Sequence, residues 1–333
     1  MKRLLVLASL ILTAGLAIAV TGASTSAAGG HVKNFKHIFV IMMENTGIEA
    51  LQGNPNAPWI NQAMQTYAVA GNYYGVTHPS QPNYIASTAG TTQGVPNDND
   101  VTVNLPNIVD QLEAKGHSWK AYMQSLSLCN GNKLASSCGN QLYERKHDPF
   151  VSFSDVQSNP ARMANIVDLS QLDSDLASKD GKAVPDYAWI SPDQCNDMHG
   201  RGGGGSSDPC DFSNEQQLIT AGDTFLRTWV NKITSSKAWD GESVIFVTWD
   251  ESDFTNSGPF GFGDTRGCCD ANPGGGHVLT LVIQRNQSKD LTASFQPYNH
   301  YSMLSTVENS WNLGCLANTC DTANVTPMSD LAG

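Results

Sequence analysis

Positive charge is what this chain has least of. Its 333 residues carry 19 Lys and Arg against 31 Asp and Glu, a formal net charge of −12. Such a field repels nucleic acid and anionic membranes at long range, so neither is expected as a partner. An anionic substrate must then be drawn in locally, by a metal ion or a helix N-terminus. A second long apolar run is also missing: beyond residues 4–20, no segment is long and clean enough to cross a bilayer. The eight cysteines contain no Cys-x-x-Cys spacing, which argues against a zinc cluster. There is no Gly-x-Ser-x-Gly elbow, which removes the α/β-hydrolase type of serine enzyme. With no internal repeat and no obvious linker, a single domain over residues 31–333 is expected.

What is present begins with an address. Lys2 and Arg3 precede the apolar run, which Ser9, Thr13 and Gly15 interrupt, and small residues follow at Gly22, Ala23, Ser24, Ser26, Ala27 and Ala28. That order reads as a secretory signal peptide over residues 1–27, cleaved near Ala27, with no stable membrane anchor retained. Without Lys2 and Arg3 the balance becomes 17 to 31, near −14. All eight cysteines lie beyond the leader, which fits an oxidising, extracellular location. Local spacing pairs Cys129 with Cys138, Cys195 with Cys210, and Cys315 with Cys320, each closing a loop. The adjacent Cys268 and Cys269 either form a vicinal ring or stay reduced.

Four continuous apolar runs of strand length stand out: 37–43 (HIFVIMM), 186–190 (DYAWI), 243–249 (SVIFVTW) and 278–283 (VLTLVI). Runs without polar alternation suit strands buried on both faces, as in a parallel sheet. Helical segments are expected at 59–68, 106–115, 214–235 and 300–313. In 214–235, Leu218, Phe225, Leu226, Trp229 and Ile233 keep helical spacing. The alternation predicts an α/β fold, a largely parallel central sheet with helices on both faces. The Gly-rich stretch 200–207 lies between Cys195 and Cys210 and reads as a mobile loop beside a site rather than a domain joint.

In open α/β sheets, ligands bind beyond the carboxyl ends of the strands. The first run here ends in Glu44-Asn45. The second leads through Ser191-Pro192-Asp193 to Asn196-Asp197-Met198-His199. The third ends in Asp250-Glu251-Ser252-Asp253, and the fourth starts just after Gly274-Gly275-Gly276-His277. Carboxylates gathered from separate strand ends repel one another unless a cation sits among them. Each piece alone has a plainer reading, as loop carboxylate, helix cap or solvated loop; their coincidence points to a site. A second signal is THPSQPNY, residues 77–84, which opens the helical YIASTAG. Ser80 is expected as N-cap with Pro82 in the first turn, where main-chain N–H groups favour a phosphate. The Ser80 hydroxyl would face the bound anion, and Asn83 could donate to a phosphoryl oxygen.

Six segments, in order over nearly the whole chain, carry a resemblance: HIFVIMMEN (37–45), THPSQPNYIASTAG (77–90), YERKHDPFVSF (143–153), SPDQCNDMHG (191–200), VTWDESD (247–253) and NHYSMLSTVENSWNLG (299–314). They resemble the bacterial and fungal phosphoesterase family of secreted acid phosphatases and phosphatidylcholine-type phospholipases C. That family is similar in fold, and in its metal site at the strand ends, to the wider alkaline phosphatase superfamily. The likeness is closest to short secreted acid phosphatases, including mycobacterial ones that act on phosphoinositides. It implies that Glu44, Asn45, Asp250 and Glu251 are metal ligands and that Ser80 is both nucleophile and a further ligand. His199, with Asn196 and Asp197, matches a phosphate-contacting group, His147 another active-site histidine, and His300 a residue at or beside the site. The wider superfamily usually has Asp where this chain has Glu44-Asn45, which leaves the number of metal ions open.

The implied reaction is transfer of a phosphoryl group to Ser80 and then to water, with His199 or His147 protonating the leaving oxygen and favouring activity below neutrality. Oxygen-rich ligation suits Mg²⁺, Mn²⁺ or Ca²⁺, with Zn²⁺ the alternative. The expected substrate is a small-molecule or lipid phosphoester. A phospholipase C splitting a phosphodiester is the alternative within the family. Members with that activity carry added C-terminal segments, whereas this chain stops about twenty residues after its last helix motif. A non-catalytic extracellular metal- or glycan-binding protein is the alternative of another class.

Overall fold

The apolar run 37–43 becomes strand β1 (His37–Met43), and 243–249 becomes β8 (Ser243–Trp249). Every residue of both is buried, and because successive side chains point to opposite faces, both faces of the sheet must be covered there. In the computed structural model, which describes residues 31–252, 263–285 and 293–333, the other strands are β2 (Ala68–Tyr74), β3 (Trp119–Met123), β4 (Ser137–Cys138), β5 (Tyr143–Glu144), β6 (Ile166–Asp168), β7 (Tyr187–Ser191), β9 (His277–Gln284) and β10 (Ala293–Asn299). The signal peptide read at residues 1–27 and Asp253 both lie outside the described residues.

Eight strands form one sheet in the order β10-β2-β9-β8-β1-β7-β3-β6, while β4 and β5 make a separate short hairpin. All neighbours in the large sheet pair parallel except where β9 meets β2 and β8. The expected α/β architecture with a mostly parallel sheet and helices around it therefore holds, with one reversed strand. The reversal has a consequence for the site. Because β9 runs backwards, its first residue, His277, lies at the same rim as the carboxyl ends of β1 and β8.

Three expected helices are shorter than their spacing suggested. The first spans Pro58–Thr66, and Ala68 already opens β2. The second starts at Ile108, because the Asn107 side chain closes a capping box with Asp110. The last, His300–Trp311, is capped in the same way by Asn299. The long helix Glu215–Ser235 buries Leu218, Phe225, Leu226, Trp229 and Ile233, as their spacing requires. The helix Ser80–Ala89 corrects an expectation. Its N-cap position is Pro79 in extended conformation, and Ser80 is the first helical residue. All ten of its residues are buried, so the Ser80 hydroxyl caps nothing and is left to the site beside it. Three cysteine pairs are those that spacing suggested, and Cys268 and Cys269, for which spacing left two states open, are joined as a vicinal disulfide.

Candidate active site

Three chain segments converge beside Ser80. Parallel pairing of β1 with β8 aligns Met43 with Trp249, so the residues that follow them, Glu44-Asn45 and Asp250-Glu251, emerge side by side. The Asp250 N–H donates to the Met43 carbonyl (3.0 Å), and the Asn45 N–H donates to Asp250 Oδ1 (3.2 Å). Asn45 sits at φ 42°, the left-handed region that asparagine tolerates better than most residues. From the loop after β7, the Asp197 carbonyl accepts from the Glu44 N–H (2.9 Å), bringing Asp197 and His199 to the same rim.

The Ser80 hydroxyl lies at the centre. Its Oγ is 2.9 Å from Glu44 Oε2, 3.0 Å from Glu251 Oε1 and 3.3 Å from Asn45 Oδ1. One hydroxyl hydrogen serves one acceptor, so the remaining oxygens face each other without a proton between them. Turning the Asn45 amide over lets its nitrogen donate to Glu44 Oε2 and Glu251 Oε1; with its oxygen inward it adds one more acceptor. Glu44, Asp250 and Glu251 are fully buried and Asp197 nearly so. Burial, with the Glu44 charge beside them, pushes the Asp250 and Asp197 carboxyls well above the usual range. Burial raises Glu251 to about 7.

Among the described residues, Glu44 Oε1, Asp250 Oδ2, Asp197 Oδ2 and His147 Nε2 are buried without a well-formed hydrogen bond, Glu44 Oε1 and His147 Nε2 only facing each other at 3.2 Å. Buried polar atoms are ordinarily satisfied, so this cluster of orphans marks a place that something else completes. Among the described residues, no group of three or more His, Cys, Asp or Glu side chains is placed to hold a metal ion by itself. The donor set nevertheless fits a hard divalent cation: carboxylate oxygens, an amide oxygen and a hydroxyl, with little nitrogen and no sulfur.

Around this cluster the histidines differ. His147 is buried, its Nε2 3.2 Å from Glu44 Oε1 and its Nδ1 3.5 Å from Asp197 Oδ2, and its ring stacks on Tyr84. Burial, with Lys146 and His199 beside it, holds its pKa well below the ordinary value. His199 is half-buried and turns Nδ1 to the Gly200 carbonyl (2.6 Å), so Nδ1 carries the hydrogen and Nε2 is the ring's other face. Asp197 Oδ1 accepts from the His199 N–H (2.8 Å) and sets that turn. Burial lowers the His199 pKa as well.

A model of the phosphoesterase family matches residues 53–314. The chain belongs to the phosphoesterase family. It is 29% identical over 312 residues to a phosphatidylinositol-3-phosphatase of Mycobacterium tuberculosis, covering 92% of this chain and 86% of that one. A probable acid phosphatase of Kluyveromyces lactis is 27% identical over 301 residues, 87% of this chain. The chain spans about three fifths of the length of the fungal acid phosphatases it matches, 62% and 58% for two of them. A protein of the alkaline phosphatase superfamily from Vibrio parahaemolyticus shares the fold, with a TM-score of 0.52 at 13% identity over 87% of this chain and 70% of that one.

In this family member the structure gathers Glu44, Asn45, Ser80, Asp197, Asp250, Glu251, His147 and His199, keeps His300 beside them, and turns the donors of Asn83 and Asn196 to other partners. Asn83 donates both amide hydrogens to the Thr77 and Pro79 carbonyls, and its oxygen accepts from the Val76 and Thr77 N–H groups. It therefore holds the loop before Ser80 and has no donor left for a phosphoryl oxygen. Asn196 donates to Gln124 Oε1 and Asp193 Oδ1. His300 lies behind the site: its Nε2 donates to the Asp250 carbonyl (2.6 Å) and its Nδ1 pairs with the Tyr73 hydroxyl. Burial lowers its pKa to about 4, which keeps the ring neutral in that role.

Two contributors escaped sequence reasoning. Lys146 donates to Asp98 Oδ2 (2.8 Å), and Asp98 Oδ1 in turn accepts from the Gln81 N–H at the start of the serine helix. Burial opposes its charge, but Glu44 and Asp98 outweigh burial and hold its pKa above the ordinary value. His78, nearly buried, contacts Glu251 Oε2. Both stand within two residues of ones that were singled out, yet nearness in sequence says nothing of which face a side chain takes.

Proposed function

We propose that this chain is a metal-dependent hydrolase of phosphomonoesters, phosphoinositides among them, working through a phosphoserine at Ser80. The observation that carries this reading is the buried hydroxyl held within 3.3 Å of oxygens from Glu44, Asn45 and Glu251. The activities named for its relatives agree with it. Export is part of the same proposal, supported by four disulfides, which persist in oxidising compartments.

A divalent cation bound by Glu44, Asn45, Asp250, Glu251 and the Ser80 oxygen would neutralise the clustered charge and polarise the phosphoryl group. The chain's own groups do the rest. Glu44 Oε2 and Glu251 Oε1 are placed to receive the Ser80 hydrogen as Oγ attacks phosphorus and the bond to the leaving oxygen breaks. Lys146 adds a positive charge where the equatorial oxygens gather negative charge. His199, with Nδ1 fixed on Gly200, has Nε2 for delivering a proton to the leaving oxygen. Because its pKa lies below the ordinary value, the protonated form accumulates only as pH falls, which gives an acid optimum. Water then attacks the phosphoserine, and the Ser80 oxygen leaves and regains a hydrogen.

Hydrolysis of p-nitrophenyl phosphate by the metal-supplied protein tests this. Ser80→Ala should lower kcat by at least about 1000-fold, the scale seen when a nucleophile is removed; full activity in that variant overturns the reading. Running the phosphorylcholine diester of p-nitrophenol beside the monoester separates the phosphomonoesterase from a phospholipase C.

A further inference from the structure

His78 has no part in the chemistry proposed above, yet it touches the residue beside Ser80. Its Nε2 lies 2.9 Å from the Asp264 carbonyl oxygen, which can only accept, so Nε2 carries a hydrogen. Its Nδ1 contacts Glu251 Oε2, and since both atoms are otherwise acceptors, a proton lies between them. The other oxygen of that carboxylate, Oε1, is the one 3.0 Å from Ser80 Oγ. A carboxylate gripped at one oxygen cannot rotate about its terminal bond without breaking the grip. The ring therefore decides which Glu251 oxygen faces the hydroxyl.

The far end of the bridge is itself held. Asp264 accepts from the Arg266 guanidinium and from the His277 N–H (2.9 Å), and Arg266 reaches on to Glu49 (2.6 Å). The following turn is bound to the ends of β2 and β8: Gly275 N–H donates to the Gly75 carbonyl (2.8 Å) and Ser252 N–H to the Gly275 carbonyl (2.8 Å). There is no room for slack, since a Cβ on Gly275 would come within 2.4 Å of the Thr77 carbonyl oxygen.

We propose that His78 is a positioning residue: bridging Glu251 and the Asp264 carbonyl, it fixes the Glu251 carboxylate and so sets how tightly the site holds its divalent cation. This rests on the cation reading of the proposed function. Partners that orient a metal ligand in this way typically contribute 10- to 100-fold in metal affinity. The test is calorimetric titration of Mn²⁺, and separately Zn²⁺, into metal-stripped wild type, His78→Ala and His78→Gln, with melting temperatures taken in EDTA. His78→Ala should bind the ion about 10- to 100-fold more weakly. His78→Gln, which keeps a donor towards Glu251, should recover most of the affinity. Alanine and glutamine variants that both match wild-type affinity overturn the inference, as does a glutamine variant that folds yet binds no better than alanine. If His78→Ala fails to fold, the comparison of wild type with His78→Gln decides: affinity within about 5-fold supports positioning, and a loss as large as 100-fold in a folded glutamine variant refutes it. A wild type that takes up neither ion defeats the cation reading itself, a result distinct from either.

Discussion

Lys146 carries its charge among carboxylates that oppose each other. Its ammonium answers Glu44 and Asp250 through space and Asp98 through a 2.8 Å hydrogen bond. Replacing it by methionine keeps much of the stem's packing and removes the charge. Lys146→Met should lower kcat/KM for p-nitrophenyl phosphate by about 100-fold, the usual scale for one preorganised donor to a transferring group. A variant within threefold of wild type would show that the ammonium only props Asp98. This residue and His78 illustrate what a motif conceals. Lys146 precedes His147 directly and His78 stands two residues before Ser80, but the role of each depends on a partner far along the chain, Asp98 or Glu251.

The helix His300–Trp311 shows how an element can serve the site at one end and carry a liability at the other. At its start His300 holds the Asp250 carbonyl; near its end Glu308 is buried with Oε1 on Gln111 (3.1 Å) and, among the described residues, no partner for Oε2. Burial raises the Glu308 pKa to about 7. A carboxyl whose folded pKa exceeds its unfolded value, about 4.3, favours the folded state only while protonated. Its contribution is therefore fully favourable below the unfolded value and is lost as pH rises towards 7. Glu308→Gln, neutral at every pH, should unfold at higher denaturant than wild type above pH 7, by roughly 3 kcal/mol, and match it near pH 4. Equal stability at pH 8 would show that the carboxylate is satisfied in the folded protein. Elements also mark where the sequence was legible. β1 and β8 are unbroken apolar runs because both of their faces are covered. β2 (AVAGNYY), β3 (WKAYM), β6 (IVD) and β10 (ASFQPYN) carry polar residues or are too short, and nothing local separates them from loop.

For the molecule as a whole, charge and site pull in opposite directions. The chain's field is strongly negative, whereas the proposed substrate is an anion, so capture depends on local charge against a repulsive background. Salt screens the long-range field more than the close contacts, with a Debye length of about 30 Å at 0.01 M and about 8 Å at 0.15 M. KM for a dianionic phosphomonoester should therefore fall between those two ionic strengths, with kcat little changed. A KM that rises with salt would indicate that an attractive field dominates at the site.

By itself the sequence determined the α/β class, the two central strands, the loop-closing cysteine pairs and a set of residues that reach the site: Glu44, Asn45, Ser80, Asp197, Asp250, Glu251, His147 and His199. Glu44, Asn45, Asp197, His199, Asp250 and Glu251 are legible because each follows the end of an apolar strand run, where the next side chains stand at the sheet's rim; Ser80 stood out through the helix-opening THPSQPNY, and His147 through the family resemblance alone. Only the tertiary structure decided that β9 runs antiparallel, that Ser80 begins its helix rather than capping it, and that the donors of Asn83, Asn196 and His300 go to Thr77 and Pro79, to Gln124 and Asp193, and to the Asp250 carbonyl. The physical reason is the same in each case. Strand direction and side-chain facing are settled by hydrogen-bond partners that lie tens to hundreds of residues away for β9, Asn196 and His300. For Ser80 and Asn83 they are settled by how one local loop folds, and a pattern read along the chain carries neither.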